Sequence, residues 1–328
     1  MYRIRWGRVL ALSLTLGLLV LLVRGCAMAR RGGAQDGADG FDIAVQADRP
    51  VRVYDGQAGR TEERSLETYL VGVVAAEMPA SFHEEALRAQ AVAARTYTMY
   101  HALHGGCNAH DADVCTSSAC CQAYATDDQL RERWGDAYAE NLARVQEAVF
   151  STAGLVLLYD GEPIEALYHS ASGGYTEDSE NVFANAVPYL RAVESADEVG
   201  TARLSGQVTL SYADFCDKVN EAYPDAGLKP DTLAGQIEVT QRTDSGRVNS
   251  IRLGGVSVSG KVLRKLIGLD STLFTVSLTG GNIRFYTRGF GHGVGMSQTG
   301  ANAMGIAGSD YREILLHYYT GTTIGPIP

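Results

Sequence analysis

The carboxylate with the strongest claim to chemistry is Glu77. It closes the apolar run that opens "YLVGVVAAEMPASFHEEALRAQAVAARTYTMY" (Tyr69 to Tyr100), and Met78 and Pro79 follow it. With residues 66 to 77 as a helix, Leu66, Tyr69, Leu70, Val73 and Val74 fall on one stripe, and Glu77 joins it four residues past Val73. Pro79 disfavours helical geometry at Met78, so Glu77 falls in the last turn, where unpaired carbonyls present partial negative charge. Burial and the helix C-terminus both disfavour a carboxylate. Both therefore raise its pKa, as a general acid working near neutrality requires. The competing reading is an ordinary structural acid, paired with an arginine or capping a nearby backbone.

A second cluster sits in "CNAHDADVCTSSACCQAY", where Cys107, Cys115, Cys120 and Cys121 fall within fifteen residues of one another with His110 among them. Such a loop can supply four nitrogen or sulfur ligands to zinc, although the spacing is not that of a standard finger; local disulfides are the alternative. A bond between adjacent Cys120 and Cys121 would be strained. Cys216, in "YADFCDKVNEAY", reads as a buried helix thiol. Two glycine-rich stretches follow, "YHSASGGYTE" from Tyr168 and "RGFGHGVGMSQTGANAMG" from Arg288. Neither carries the lysine of a P-loop, and the second lacks dinucleotide spacing in a βαβ setting. Ser170, Ser172, Tyr175, His292, Ser297 and Gln298 offer uncharged hydrogen-bonding groups beside glycines that let backbone approach a ligand, a lining suited to a sugar, or else simply tight turns. His292 is also a candidate base or metal ligand. Ser170 or Ser172 beside His169 or His292 could be a nucleophile, but no G-x-S-x-G elbow is present.

The elements that must position these groups come in mixed blocks. "FDIAVQ" and "VRVYD" read as strands, and helical signals dominate from Ser65 to about Tyr100, with "SFHE" as a capping box of Ser81 and Glu84 for a second, alanine-faced helix. The alanine face would let Arg95 sit near the preceding helix. After the Cys-rich loop and a polar helix over Thr126 to Val149, hairpin signals occur at Asp160-Gly161 and at Asp244-Ser245-Gly246, and "SGKVLRKLIG" is a short helix capped by Ser259. Without regular βαβ alternation, the expected class is α+β, with antiparallel strands and helices in one cleft-containing body.

The chain has 328 residues and a formal charge of −10. Six arginines and no acids lie in its first 31 residues, leaving about −16 on the rest, which argues against nucleic acid as a partner. Between those arginines, Val9 to Val23 would make a helix of roughly 22 Å, short of the hydrocarbon core. It reads as an export signal, either a cleaved signal peptide with a site near Ala27 to Ala29 or an uncleaved signal anchor with snorkelling arginines. Arg24 beside Gly25 makes Cys26 a poor lipidation site. Residues 24–40 form a Gly-rich linker, so the expected organisation is 1–23 anchor or signal peptide, 24–40 linker and 41–328 folded body.

Together, "YLVGVVAAEMPASFHEEALRAQAVAARTY", "CCQAY", "YHSASGGYTE" and "GFGHGVGMSQTGANAMG" resemble, in order, the stage II sporulation protein D family, whose relatives include amidase-enhancer proteins. The resemblance implies a single-pass membrane protein with its body on the extracytoplasmic side. It implies a lytic transglycosylase that cleaves peptidoglycan glycan strands lacking stem peptides during forespore engulfment, working with a cell-wall amidase and other engulfment proteins. Under it, Glu77 is catalytic, Arg95 belongs to the substrate cleft, and Gln122, Tyr168, Ser170, Ser172, Gly173, Gly174, His292, Ser297 and Gln298 line that cleft. It also implies one zinc ion held by His110, Cys115, Cys120 and Cys121, with Cys120 replacing the family's second histidine and Cys107 as a competitor.

Overall fold

The structure, a computed structural model, describes residues 49–195 and 204–328. The expected export segment, the linker and the "FDIAVQ" strand lie outside the described residues. Among the described residues no helix is long and apolar enough to cross a membrane.

The class is α+β, as expected. Strand Pro50–Asp55 pairs antiparallel with Arg60–Ser65 and parallel with Val114–Cys115. Helix Leu66–Glu77 follows directly, and its expected stripe of Leu66, Tyr69, Leu70, Val73 and Val74 is wholly buried. It ends where Pro79 requires, with Met78 in extended backbone and its N–H donating back to the Val74 carbonyl at 3.0 Å. Helix Glu84–Leu103 runs through the centre of the larger core, packed against helices Leu66–Glu77, Tyr138–Phe150, Gln298–Ile306 and Tyr311–Tyr318 and strand Leu155–Tyr159. Its buried alanines, among them Ala86, Ala89, Ala93 and Ala94, allow that many neighbours to approach. The cap of this helix is His83, whose ring nitrogen accepts from the Glu85 N–H, and not Ser81. A turn in which the Phe82 N–H bonds the Pro79 carbonyl holds Ser81 away from the helix start.

The polar segment after the Cys-rich loop divides into helices Asp127–Trp134 and Tyr138–Phe150 around Gly135, the former with a capping box of Thr126 and Gln129. Both hairpins form. Leu155–Tyr159 returns as Glu162–Pro163 through Asp160 and Gly161, both at positive φ, and Ile237–Arg242 returns as Val248–Leu253.

A second core, centred on Phe215, Phe274 and Phe285, is built from two three-stranded antiparallel sheets and helices Tyr212–Ala222 and Gly260–Ile267. Ser259 caps the latter helix through the Val262 N–H, and Cys216 is a buried helix thiol, both as expected. The glycine-rich stretches meet in a short parallel pair, Tyr168–His169 with Met296–Ser297.

Candidate active site

Glu77 opens onto a cavity of about 780 Å³ bounded by its own helix end, by Ser81 and Phe82, by Arg133, Trp134 and Asn141, and by Ser170, Gln298 and Thr299. The carboxyl is half-buried and forms no ion pair with any described cation. One oxygen accepts the Ala123 N–H at 2.6 Å. Burial raises its pKa, and the Ala123 bond and the nearby Gln298 amide only partly offset that. Gln298 is itself fixed by a bond to Gln90 at 3.3 Å and by its place at the start of a helix capped by Ser297.

Three of the expected cleft residues, Glu77, Ser170 and Gln298, meet in this cavity. The Ser170 carbonyl accepts from the Thr299 N–H, which joins the two glycine-rich stretches at the cavity wall. Tyr168 and Gln122 stand behind it: the Tyr168 hydroxyl donates to Gln122 at 2.7 Å, and Gln122 donates to Thr98 at 3.1 Å. Burial and the nearby Glu77 both push the Tyr168 hydroxyl upward, so it remains a neutral donor. Ser172 and Ser297 are buried and serve backbone, accepting from Gly174 and Gly300, and Gly173 and Gly174 turn the chain at positive φ.

Arg95 is a correction. It is fully buried, pairs through two nitrogens with Glu67 at 2.8 and 2.6 Å, and donates to the Val149 and Leu155 carbonyls. It does sit against the preceding helix, but its guanidinium is consumed inside the core and cannot reach a ligand. His292 likewise lies outside the Glu77 cavity. It lines a separate pocket, with one ring nitrogen accepting from the Val294 N–H and burial lowering its pKa to about 4.

Sequence reasoning missed Arg133, Trp134 and Asn141. Arg133 donates to the Ala75 carbonyl at 3.1 Å, satisfying one open carbonyl at the end of the Glu77 helix. Trp134 supplies an aromatic wall of the kind that stacks on sugar rings. It is one of two tryptophans in the chain and the other is Trp6, so its rarity in the body was the available signal.

In the Cys-rich loop, the sulfurs of Cys107, Cys115, Cys120 and Cys121 lie within 4.8 Å of one another. Four thiolates around a zinc ion at about 2.3 Å would stand at roughly 3.8 Å separations, so the quartet fits a tetrahedral ion. The structure thus groups Cys107, and not His110, with Cys115, Cys120 and Cys121; the His110 ring is stacked on Tyr54 with centroids 3.6 Å apart. The physical reason is the loop's path. Cys107 is turned inward by the bond from its N–H to the Ala112 carbonyl, and Cys115 is anchored by the strand it forms beside Tyr54. Against the cost of burial, hydrogen bonds from the Ala109 backbone and the other thiols pull Cys107 down, while burial pushes Cys120 up to about 11 and Cys121 higher.

An acid without an ion pair, an aromatic wall and amide and hydroxyl groups thus come together in one cavity on an α+β body. The stage II sporulation protein family, SpoIID, matches over residues 54–159. The chain is 37% identical to stage II sporulation protein D of Bacillus amyloliquefaciens over 84% of its own length and 78% of that protein's, and 36% identical to the Bacillus subtilis protein of the same name with the same coverage. It is also 32% identical to the amidase enhancer of Bacillus subtilis, over 78% of this chain and 40% of that longer protein. The chain belongs to the stage II sporulation protein D family.

Proposed function

We propose that the chain is a lytic transglycosylase acting on peptidoglycan glycan strands free of stem peptides during sporulation, with Glu77 as its single acid and base. The observation that carries this reading is that Glu77 is the only acid among the described residues lining its cavity. Hydrolysis of a glycosidic bond ordinarily uses two carboxylates placed on either side of it. Lytic cleavage of a muramic acid linkage needs one, because the sugar's own primary hydroxyl replaces water.

In the first step Glu77, holding its proton through burial, donates it to the bridging oxygen as the bond from that oxygen to the anomeric carbon breaks. The resulting carboxylate is stabilised by the Ala123 N–H and the Gln298 amide. It then removes the proton of the primary hydroxyl as that oxygen bonds to the anomeric carbon and closes the anhydro ring. Glu77 ends protonated and no water is consumed. Trp134 and Asn141 would orient the sugar.

The cysteine quartet would hold one zinc ion that braces the loop. Zinc content of the purified full chain should fall in Cys107→Ser and persist in His110→Ala; the reverse pattern would return His110 to the ligand set. The N-terminal apolar segment would anchor the body on the extracytoplasmic face of the membrane, where a cell-wall amidase and other engulfment proteins would work beside it.

Mass spectrometry of products from peptide-free glycan tests the reaction. Glu77→Gln should lower anhydromuramic ends by about a hundredfold or more while the strand still binds. Full product from that variant would overturn the assignment. The amidase enhancer among the relatives supports a second reading, a glycan-binding activator of an amidase. Stimulation of an amidase by wild-type protein that yields no anhydro ends would favour it.

A further inference from the structure

A second pocket, of about 390 Å³, lies where the two cores meet, and the proposed reaction makes no use of it. Lys261 and Arg264, one turn apart on helix Gly260–Ile267, both line it, together with Arg247 from the turn that precedes strand Val248–Leu253. Each is held by backbone: Lys261 Nζ donates to the Val182 carbonyl at 2.8 Å, Arg264 Nε to Leu269 at 3.1 Å, and Arg247 to Tyr175 and Ser172.

The two acids that line the pocket are already engaged, and Asp270, outside it, acts on Arg264 without forming an ion pair. Glu177 accepts four bonds, from the Asp178 N–H, Asn181, Thr243 and Ser245, and Glu180 is paired with Arg191. Neither Lys261 nor Arg264 forms an ion pair with a described acid within 4.0 Å. The pocket wall also carries Phe183, a large apolar side chain left 45% exposed, with its ring edge-on to His292 at 5.7 Å between centroids. An open aromatic face beside two cations suits a ligand with an apolar ring face and a negative charge, that is, an acidic sugar.

We propose that this pocket is an accessory subsite for a carboxylate-bearing sugar of the glycan, with Lys261 and Arg264 binding the carboxylate and Phe183 stacking on the ring. This rests on the glycan-cleaving reading above. The strand joining the two sites supports a shared ligand: Ser170 lines the Glu77 cavity, and the backbone beside it at His169 lies against Gly291, the neighbour of His292 in the second pocket. A peptide-free strand carries a free lactyl carboxylate on each muramic acid, whereas a stem peptide converts that carboxylate to an amide. The subsite would therefore favour stripped strands, and its charge matters more because the body as a whole is acidic and repels a polyanion.

The test is co-sedimentation of the full-length protein in detergent, carrying Glu77→Gln to prevent turnover, with three insoluble strands: peptide-free, peptide-bearing, and peptide-free with its carboxylates converted to amides. Added Lys261→Gln should weaken binding to the peptide-free strand about fivefold, and Arg264→Gln about tenfold or more, with Arg264→Lys recovering part of the loss. On the amidated strand these variants and their parent should bind alike. Equal binding of variants and parent to the peptide-free strand would overturn the subsite, as would peptide-bearing strands held as tightly as peptide-free ones, because their charge lies on peptide carboxylates. Thermal unfolding of each variant separates lost charge from lost fold. Absence of anhydro ends from wild type would instead count against the reaction, and the binding comparison would still decide the fate of the pocket.

Discussion

Glu67 and Glu77 occupy the two ends of one helix, and their surroundings divide their roles. Glu67, in the first turn, is buried and meets the Arg95 guanidinium through both oxygens, with the Gly154 N–H as a further donor. Glu77, in the last turn, is the more exposed of the two, yet it forms no ion pair with a described cation, although Arg133 lines the same cavity, and it accepts the Ala123 amide N–H. A buried acid given a full counter-charge is locked as an anion partner and holds structure. An acid given burial without an ion-pair partner has its pKa raised, which favours the protonated form.

The sharpest way to break that contrast is Arg95→Met, which leaves Glu67 buried without its partner. It should cost about 3–5 kcal/mol in denaturant unfolding, and any loss of activity should track loss of folded protein. A stable Arg95→Met protein with no activity would return Arg95 to the chemistry. At the other end of the helix, Glu77→Gln should be no less stable than wild type near neutral pH. The sign follows from the raised pKa: between the ordinary carboxylate range and Glu77's own value the folded state holds more protons than the unfolded chain, so stability declines as pH rises through that window. The amide that replaces the carboxyl cannot titrate, and melting curves across pH should show that part of the decline removed. The smallest effect is expected from Gln298→Leu. Without its amide the carboxylate loses a stabilising donor, so the alkaline limb of the pH–rate profile should move to higher pH. A move to lower pH would mean that Gln298 supports the acid form instead.

How much of this was legible in the sequence depended on range. The end of the helix at Glu77 rests on two local rules, periodicity and the effect of Pro79, and both operate within a few residues. The α+β class, the Asp160-Gly161 hairpin and the Ser259 cap were readable for the same reason. Arg95 could be placed beside the preceding helix, but nothing nearby in sequence distinguishes a guanidinium turned to Glu67 from one turned to a cleft. The grouping of the thiols was hidden in a related way. Composition located the cysteine cluster, yet His110 stacks on Tyr54, a strand residue far earlier in the chain, while Cys107 joins the other three thiols. Trp134 reaches the cavity only because helices Asp127–Trp134 and Leu66–Glu77 are brought together by tertiary packing, with Arg133 spanning the gap.

Gly72, in the middle of the Glu77 helix, has no chemistry of its own. A β-carbon there would stand 2.3 Å from the Tyr124 ring and 2.8 Å from the Ala125 carbonyl, so the segment carrying Tyr124 lies directly against bare helix backbone. That segment also carries the Ala123 N–H that grips Glu77, and it begins at Cys121 of the quartet. A methyl group at position 72 would lift the whole strap. In a screen of random variants such a change would be scored as a catalytic lesion, although the altered residue touches neither substrate nor acid.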